Sequence, residues 1–332
     1  MSFLIYEATM RLKKDHKLLM ILDLINWDRI GLLLGKMNRS GMGPCPYEPV
    51  MMVKALILGQ WHSLSDPDLE EALRVRLDFM IFTGFEGEVP DETTLCRFRG
   101  RLIDLGLLEA VFIQVNKDLQ QKGLKINPSK GAVVDATIIS SAGRAQTQLE
   151  GIVVDREEPV TVECQNPRRS FDNEARWLKK GEKTYFGYKG FVVTDSEHGF
   201  VEHVHVTSAN VSEVRELHRV IEGIEMKCLY ADKGYASADN REMLKRLGVE
   251  DGIMHKAVRN RALTDEEKIH NRAISKRRFV VERCFGTLKR QFKFTRASYC
   301  SRLKVEGQII LKAIAYNLLK AFHLEKCRVK YV

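Results

Sequence analysis

No stretch of this 332-residue chain approaches the roughly 20 consecutive apolar residues that a bilayer-spanning helix needs. Residues Met1 to Lys14 lack the apolar core and small-residue cleavage site of a secretory signal. A membrane protein or an exported one is therefore not expected. Close cysteine pairs are also missing. The seven cysteines (Cys45, Cys96, Cys164, Cys228, Cys284, Cys300, Cys327) are scattered, with no CxxC spacing. An odd, dispersed set argues against a disulfide framework and a zinc site, and points to a reducing compartment. What is present is ordinary: 44% apolar and 29% charged residues, which excludes a disordered or fibrous class. The length suffices for a full core and a smaller second domain.

Charge is distributed unevenly. From Lys256 onward there are 20 Lys and Arg against 6 Asp and Glu, a balance of +14, so residues 1–255 carry 9 − 14 = −5. A basic final third on an acidic remainder points to a polyanion, most commonly nucleic acid, although a face that only aids solubility has the same composition.

The first 125 residues read as helices. Leu18 to Leu34 is expected as one helix, and Pro49 to Gln60 as a second with Pro49 in its first turn. A third is capped by Ser65 or Asp66 and carries Leu69, Leu73 and Leu77. Pro90-Asp91-Glu92-Thr93-Thr94 starts another, in which Leu95, Phe98 and Leu102 form the buried stripe and Arg97, Arg99 and Arg101 fan out opposite. A helix-turn-helix-like DNA-binding domain fits this region, and so does an all-helical packing or dimerisation domain.

After Pro128 the pattern becomes that of strands. Gly131 to Ile139 is a near-continuous apolar run, read as a central strand with Asp135 at its polar end. A buried acid is costly unless paired or coordinating a metal, and a plain strand-end role is equally open. Residues 143–184 read as a long polar insert. Thr184 to Thr194 and Phe200 to Thr207 form a hairpin, in which His203 and His205 are taken as half-exposed strand residues rather than ligands. A helix from Asn210 or Ser212 to Ile221 follows. Met226 to Tyr235 then repeats the earlier arrangement, a short apolar strand delivering Asp232 at its end. A helix from Asn240 and a strand from Val249 to Met254 come next. Lys256 to Arg272 shows no clean period; a helix is expected from Ala273 and a last one from Val305 to Phe322.

On the helix after Ala273, Arg278, Glu282 and Lys289 are four and seven residues apart and share a face. Alone, Arg278 and Glu282 could be a solvated i,i+4 pair worth a few tenths of a kcal/mol. Equally, a carboxylate flanked by cations could be a metal ligand facing a polyanion. Two acids at the ends of adjacent strands plus one from a helix on that sheet can converge on a pair of divalent ions about 4 Å apart, the arrangement that drives phosphodiester attack. Oxygen donors without His or Cys suit Mg²⁺.

These residues resemble a family. Arg278, Glu282 and Lys289 match the signature Tyr, two residues, Arg, three residues, Glu, six residues, Lys of bacterial insertion-sequence DDE transposases in the insertion sequence 4/5 group, closest to the insertion sequence 5 family. Ser275 stands where the Tyr is expected. Asp135 in Val-Val-Asp-Ala-Thr and Asp232 in Ala-Asp-Lys-Gly-Tyr match the two strand acids, and Tyr47 to Leu102 resembles the group's helical N-terminal domain. The resemblance implies an α/β fold: a ribonuclease H-like catalytic domain over 126–325 and an all-helical domain over 1–125. It implies a DNA transposase that cuts and joins double-stranded DNA with two Mg²⁺ ions, replaceable by Mn²⁺, bound by Asp135, Asp232 and Glu282. The 50 residues from Asp232 to Glu282 leave no room for the β-rich insertion of some relatives. Expected partners are the element's ends and target DNA, with a homodimer or higher oligomer on them, in a bacterial cytoplasm at the nucleoid. Arg278, Lys289, Arg277, Lys293 and Lys233 are expected on DNA phosphates, and Arg97, Arg99 and Arg101 on the end sequences. A catalytically silent DNA-binding descendant and a nuclease that cuts without joining are the alternatives.

Overall fold

The computed structural model describes residues 6, 10–12, 16–35, 37, 47–125, 129–145, 171–257 and 261–330. Side chains at the ends of helices fix most of the element starts in the N-terminal region. The expected helix from Leu18 to Leu34 is two, α1 (Lys17–Leu24) and α2 (Trp27–Leu34), because Asn26 caps the second by accepting from the Arg29 amide. The Asn26 amide in turn donates to Asp118 Oδ2 at 2.9 Å, so the break is held from outside. Glu48 caps α3 (Pro49–His62), and Ser65 with Asp68 forms a capping box on α4 (Asp66–Val75). Next come α5 (Leu77–Thr83), α6 (Glu92–Asp104, capped by Asp91) and α7 (Leu107–Gln121). Neither α5 nor α7 stands out in the sequence pattern.

A mixed sheet follows: β1 (Ala132–Ser140), β2 (Arg176–Lys180), β3 (Lys183–Asp195), β4 (Val201–Ser208), β5 (Cys228–Ala231) and β6 (Glu250–Ile253). β3 runs antiparallel to β1, β2 and β4, while β1, β5 and β6 are parallel. Residues 176–184, expected inside a polar insert, instead form β2 and the start of β3, paired from Arg176↔Gly187 to Lys180↔Lys183. The rest of that insert, 146–170, lies outside the described residues. The turn between β3 and β4 is tied by Asp195, whose carboxylate accepts from the amides of Glu197, His198 and Phe200. Gly199 closes it at φ +72°, where a side chain would collide with Val280.

The remaining helices are α8 (Glu213–Val220), α9 (Ala238–Arg246), α10 (Asp265–Arg290) and α11 (Arg302–Lys330). α10 starts eight residues before the expected Ala273, because Thr264 and Glu267 form a capping box ahead of the basic run. One sheet face, with Val134, Phe191 and Val193, packs with Leu217, Val220 and Leu244 of α8 and α9. The other face, with Val133, Ile139 and Val192, packs with α10 and α11. α11 also fills the core of the N-terminal helices, so both regions share one apolar cluster. A buried amide pair joins them: Asn317 donates to Asn116 Oδ1 and to the Val201 carbonyl, each at 2.8 Å, and accepts from the Val201 amide. His205 lies between Glu216 (3.1 Å) and Glu306 (3.6 Å).

Candidate active site

β1 is buried on both faces and delivers Asp135 from its fourth position, mid-strand rather than at a polar end. β5 stops at Ala231, and Asp232 follows it as the N-cap of a short 3₁₀ turn (Lys233–Tyr235), accepting from the Lys233 amide at 2.6 Å. Parallel pairing of β1 with β5 sets the two acids side by side. α10 crosses them and supplies Arg278, whose Nη2 donates to Asp135 Oδ2 at 2.8 Å while Nη1 lies 3.9 Å from Asp232 Oδ1. One guanidinium thus serves two carboxylates. Asp135 also accepts from the amide of Ala136 at 2.8 Å.

Burial pushes the Asp135 carboxyl above the ordinary range, and the charges of Glu213 and Asp232 add to that, while Arg278 and the Ala136 amide pull the other way. A second cation would therefore be favourable beside Asp135. Tyr235 forms one wall of the same place. It is fully buried, its hydroxyl has no partner, and burial followed by the charges of Glu213 and Asp135 holds it well above the ordinary tyrosine value. Behind it, Glu213 pairs with the buried Lys189 at 3.3 Å. An oxygen-only donor set, two acids converging on one cationic point and an acid whose charge is under-compensated together fit a divalent cation.

Glu282 is placed differently from the expectation. It is exposed one turn beyond Arg278, and among the described residues no three acid, His or Cys side chains close around a single metal position. The reason is the rotation of α10. Ile274, Val281, Cys284, Phe285 and Leu288 face the sheet, which turns Arg278 inward at the edge of that stripe and leaves Glu282 outside. Arg278 is thereby tied to acids rather than presented to a phosphate. Arg277, Lys289, Lys293 and Lys233 are exposed.

The N-terminal arginines divide as well. Arg97 and Arg101 are exposed, but Arg99 is only 4% exposed, a correction to the fan expected on α6. Its guanidinium makes a two-pronged contact with Asp66, both bonds 2.7 Å, and lies 4.4 Å over the Tyr299 ring. Leu95, Arg99 and Leu102 are at i, i+4 and i+7, so Arg99 belongs to the buried stripe. Tyr235 carried no signal beyond closing the Ala-Asp-Lys-Gly-Tyr stretch, and Glu213 carried none; their part depends on the tertiary approach of α8 to the 3₁₀ turn.

Comparison with known proteins identifies the architecture. The family model described as "Transposase DDE domain" matches residues 127–318, and one described as "Transposase domain (DUF772)" matches residues 6–101. A transposase for insertion sequence element IS1106 from Neisseria meningitidis serogroup B is 41% identical over 268 residues, 80% of this chain and 88% of that protein. Among solved structures, a piggyBac transposase synaptic complex with hairpin DNA aligns over 92% of this chain and 72% of that one at 12% identity, TM-score 0.39. The Mos1 strand transfer complex aligns over 86% of this chain and 80% of that one at 13% identity, TM-score 0.21. Those two likenesses are too loose to carry weight. The family match over more than half the chain and the 41% relative are not: the chain belongs to the DDE transposases, and it is a DNA transposase.

Proposed function

We propose that this transposase cuts and joins DNA at the ends of an insertion sequence through Asp135, Asp232 and Glu282. The observation that carries the reading is the shared guanidinium of Arg278, which brings acids from two parallel strands to one cationic point. Asp135 and Asp232 would hold divalent cations, Mg²⁺ or Mn²⁺ in its place, with Glu282 reaching in from the exposed turn of α10. Bound there, two such ions would supply an activated water or sugar hydroxyl and a stabilised leaving oxygen. The chain's own contribution is positional. Arg278 offsets the repulsion between the two carboxylates and fixes their separation. The Ala136 and Lys233 amides hold Oδ1 of each acid; Asp135 Oδ2 is held by Arg278, while Asp232 Oδ2 is the oxygen left open to bind. Arg277, Lys289, Lys293 and Lys233 would lie on phosphates, where contacts position the duplex without reading it. Arg97 and Arg101 would contribute to recognising the ends, within a DNA-binding unit of residues 1–125 ahead of a catalytic unit of 126–325. A homodimer or higher oligomer on DNA belongs to the same reading.

The test uses the full chain and a DNA fragment bearing the element's ends, scored for cleavage and for strand transfer with Mg²⁺. Asp135→Ala, Asp232→Ala and Glu282→Ala should each abolish both products and leave DNA binding largely intact. Near-normal cleavage by Glu282→Ala would remove Glu282 from the site. Cleavage without joining in the wild type would make the protein a nuclease, and binding without cleavage would make it a silent DNA-binding descendant.

A further inference from the structure

A cavity of about 770 Å³ opens between the N-terminal helices and the catalytic region, within the size range of ordinary ligand sites. Ser63, Ser65 and Asp66 at the α3–α4 junction line one side, with Cys96 and Arg97 of α6; Lys293, Arg296 and Lys312 line the other. Its deepest charge is Lys312, only 3% exposed on α11. The Lys312 ammonium donates to the Phe292 carbonyl at 2.9 Å, and none of its contacts among the described residues is a carboxylate. Its other neighbour is the face of the Phe294 ring, 5.5 Å to the centroid. A buried ammonium has three hydrogens to place and a large desolvation cost, so one carbonyl and one ring face, with no anion, leave it under-compensated. Burial alone lowers it to about 8.

Three observations around it point the same way. Arg97, Lys293 and Arg296 likewise form no ion pair among the described residues; Arg296 is spread over the carbonyls of Ser141 and Ala142. Of the two acids on the wall, Asp66 is already engaged in both prongs by Arg99, and Glu92 is a single exposed carboxylate against four cations. The Ser63 hydroxyl is buried without a partner, on a residue held at φ +55°, and Lys293 opposite is held at φ +49°. The Ser63 backbone is the left-handed C-cap of α3, its amide donating to the Gln60 carbonyl, so it is the unpartnered hydroxyl that bears on a ligand.

We propose that this cavity is an anion site that takes one phosphodiester group of the bound DNA, with Lys312 at its floor, the Ser63 hydroxyl on its wall and Arg97, Lys293 and Arg296 at its mouth. The inference rests on the reading of the chain as a DNA-binding transposase. Arg296 pairs with Ser140 at the far end of β1. At ~3.3 Å per residue that is roughly 17 Å along the strand from Asp135, so one duplex can lie across both places.

The experiment measures binding of the full chain to a random-sequence duplex as a function of chloride concentration, for wild type and Lys312→Met. Methionine matches the lysine's length and needs no counter-ion, so the variant should melt at or above the wild-type temperature without DNA. Its salt slope should be shallower by about 0.9, with affinity reduced severalfold. An unchanged slope and affinity in a folded Lys312→Met overturns the proposal. Should that variant fail to fold, Arg296→Gln, at a cavity residue given no DNA contact outside this site, decides it by the same loss of slope or its absence. Melting in inorganic phosphate against chloride at equal ionic strength separates the sources. A phosphate-specific gain in wild type, lost in Lys312→Met while the duplex slope stays unchanged, would make this a free-phosphate site and overturn the assignment to DNA. Failure of wild type to bind any duplex would instead sink the DNA-binding reading itself.

Discussion

The Asp135–Asp232 cluster and the Lys312 cavity are opposite solutions to the same problem, that of holding charge away from water. In the first, two acids share one guanidinium, and the neighbouring Glu213 is engaged by Lys189. In the second, four cations line a cavity whose Asp66 is already taken by Arg99. The first carries an excess of about one negative charge; the second, where Glu92 alone stands against Arg97, Lys293, Arg296 and Lys312 once Asp66 is taken by Arg99, carries an excess of about three positive ones. Internal ion pairs that served stability alone would balance, because an uncompensated buried charge is expensive. Under the proposed reading the first place would take a cation and the second an anion, the two things that metal-assisted phosphodiester chemistry would need.

The largest expected effect is on chemistry. Asp135→Ala or Asp232→Ala should reduce end cleavage by on the order of a thousandfold or more, equivalent to at least ~4 kcal/mol of transition-state stabilisation. Duplex affinity measured beside it should hold. A cleavage rate within tenfold of wild type in either variant would break the contrast at its acidic end.

Next comes Arg278→Gln, which leaves Asp135 buried without its partner. Removing one member of a buried pair costs ~3–5 kcal/mol, and partial exposure of both acids reduces that to about 2–3 kcal/mol. Urea denaturation gives the value. Added Mn²⁺ should then stabilise Arg278→Gln more than it stabilises wild type, since the ion would take over the guanidinium's place between the acids. Equal Mn²⁺ gains in both proteins would mean that the acids do not bind the ion.

How far the sequence could have led to this picture differs between the two places. Asp135, Asp232 and Glu282 could be singled out as candidates because each sits in a local pattern: an acid within an apolar run, another at a strand end, a third in a spaced helical signature; the structure brings the first two together and leaves Glu282 exposed. Most helix starts are legible too, through Ser65, Asp91 and Ser237, because a cap is a local hydrogen bond. The rotation of α10 was not, since it depends on which side chains the sheet accepts, and that rotation separates Arg278 from Glu282. Arg99 could have been read correctly from its spacing to Leu95 and Leu102, but its charge argued for the surface; its partner Asp66 is 33 residues away. The Lys312 cavity has almost no sequence signal. One lysine within Ile309-Ile310-Leu311-Lys312-Ala313-Ile314 is the only hint, and its walls come from four separate stretches of chain.

Arg99 and Arg97 sharpen the same distinction at a smaller scale. Arg99→Met should destabilise the protein by about 2 kcal/mol, because Asp66 loses a two-pronged partner at a part-buried position. Arg97→Gln, on the exposed side of the same helix, should change stability by no more than about 0.5 kcal/mol and weaken duplex binding. Thermal melts and a binding isotherm on each variant check this. The isolated fragment 1–125 is not a substitute, because α11 supplies part of its core.

The smallest effect is a pH dependence confined to Lys312. Its folded-state value is lowered to about 8 by burial, against an ordinary 10.5. Between those values the unfolded chain binds more protons at this residue than the folded one, so stability rises with pH across the window. Below about 8 both states are charged, the full desolvation penalty applies and the slope from this group vanishes. Above 10.5 both are neutral and the slope vanishes again. Other lysines and tyrosines titrate in the same range, so the quantity to follow is the melting temperature of wild type minus that of Lys312→Met. It should start negative at pH 7 and climb toward zero by pH 10. Duplex affinity should move the other way: wild type loses its advantage over Lys312→Met as pH rises past 8, because the ammonium that holds the phosphate is leaving. Parallel melting curves would mean that Lys312 keeps its proton through this range and is better compensated than its surroundings indicate. Opposite slopes for stability and affinity are what a cation kept buried for a partner must give, since the charge that weakens the free protein is the one the partner needs.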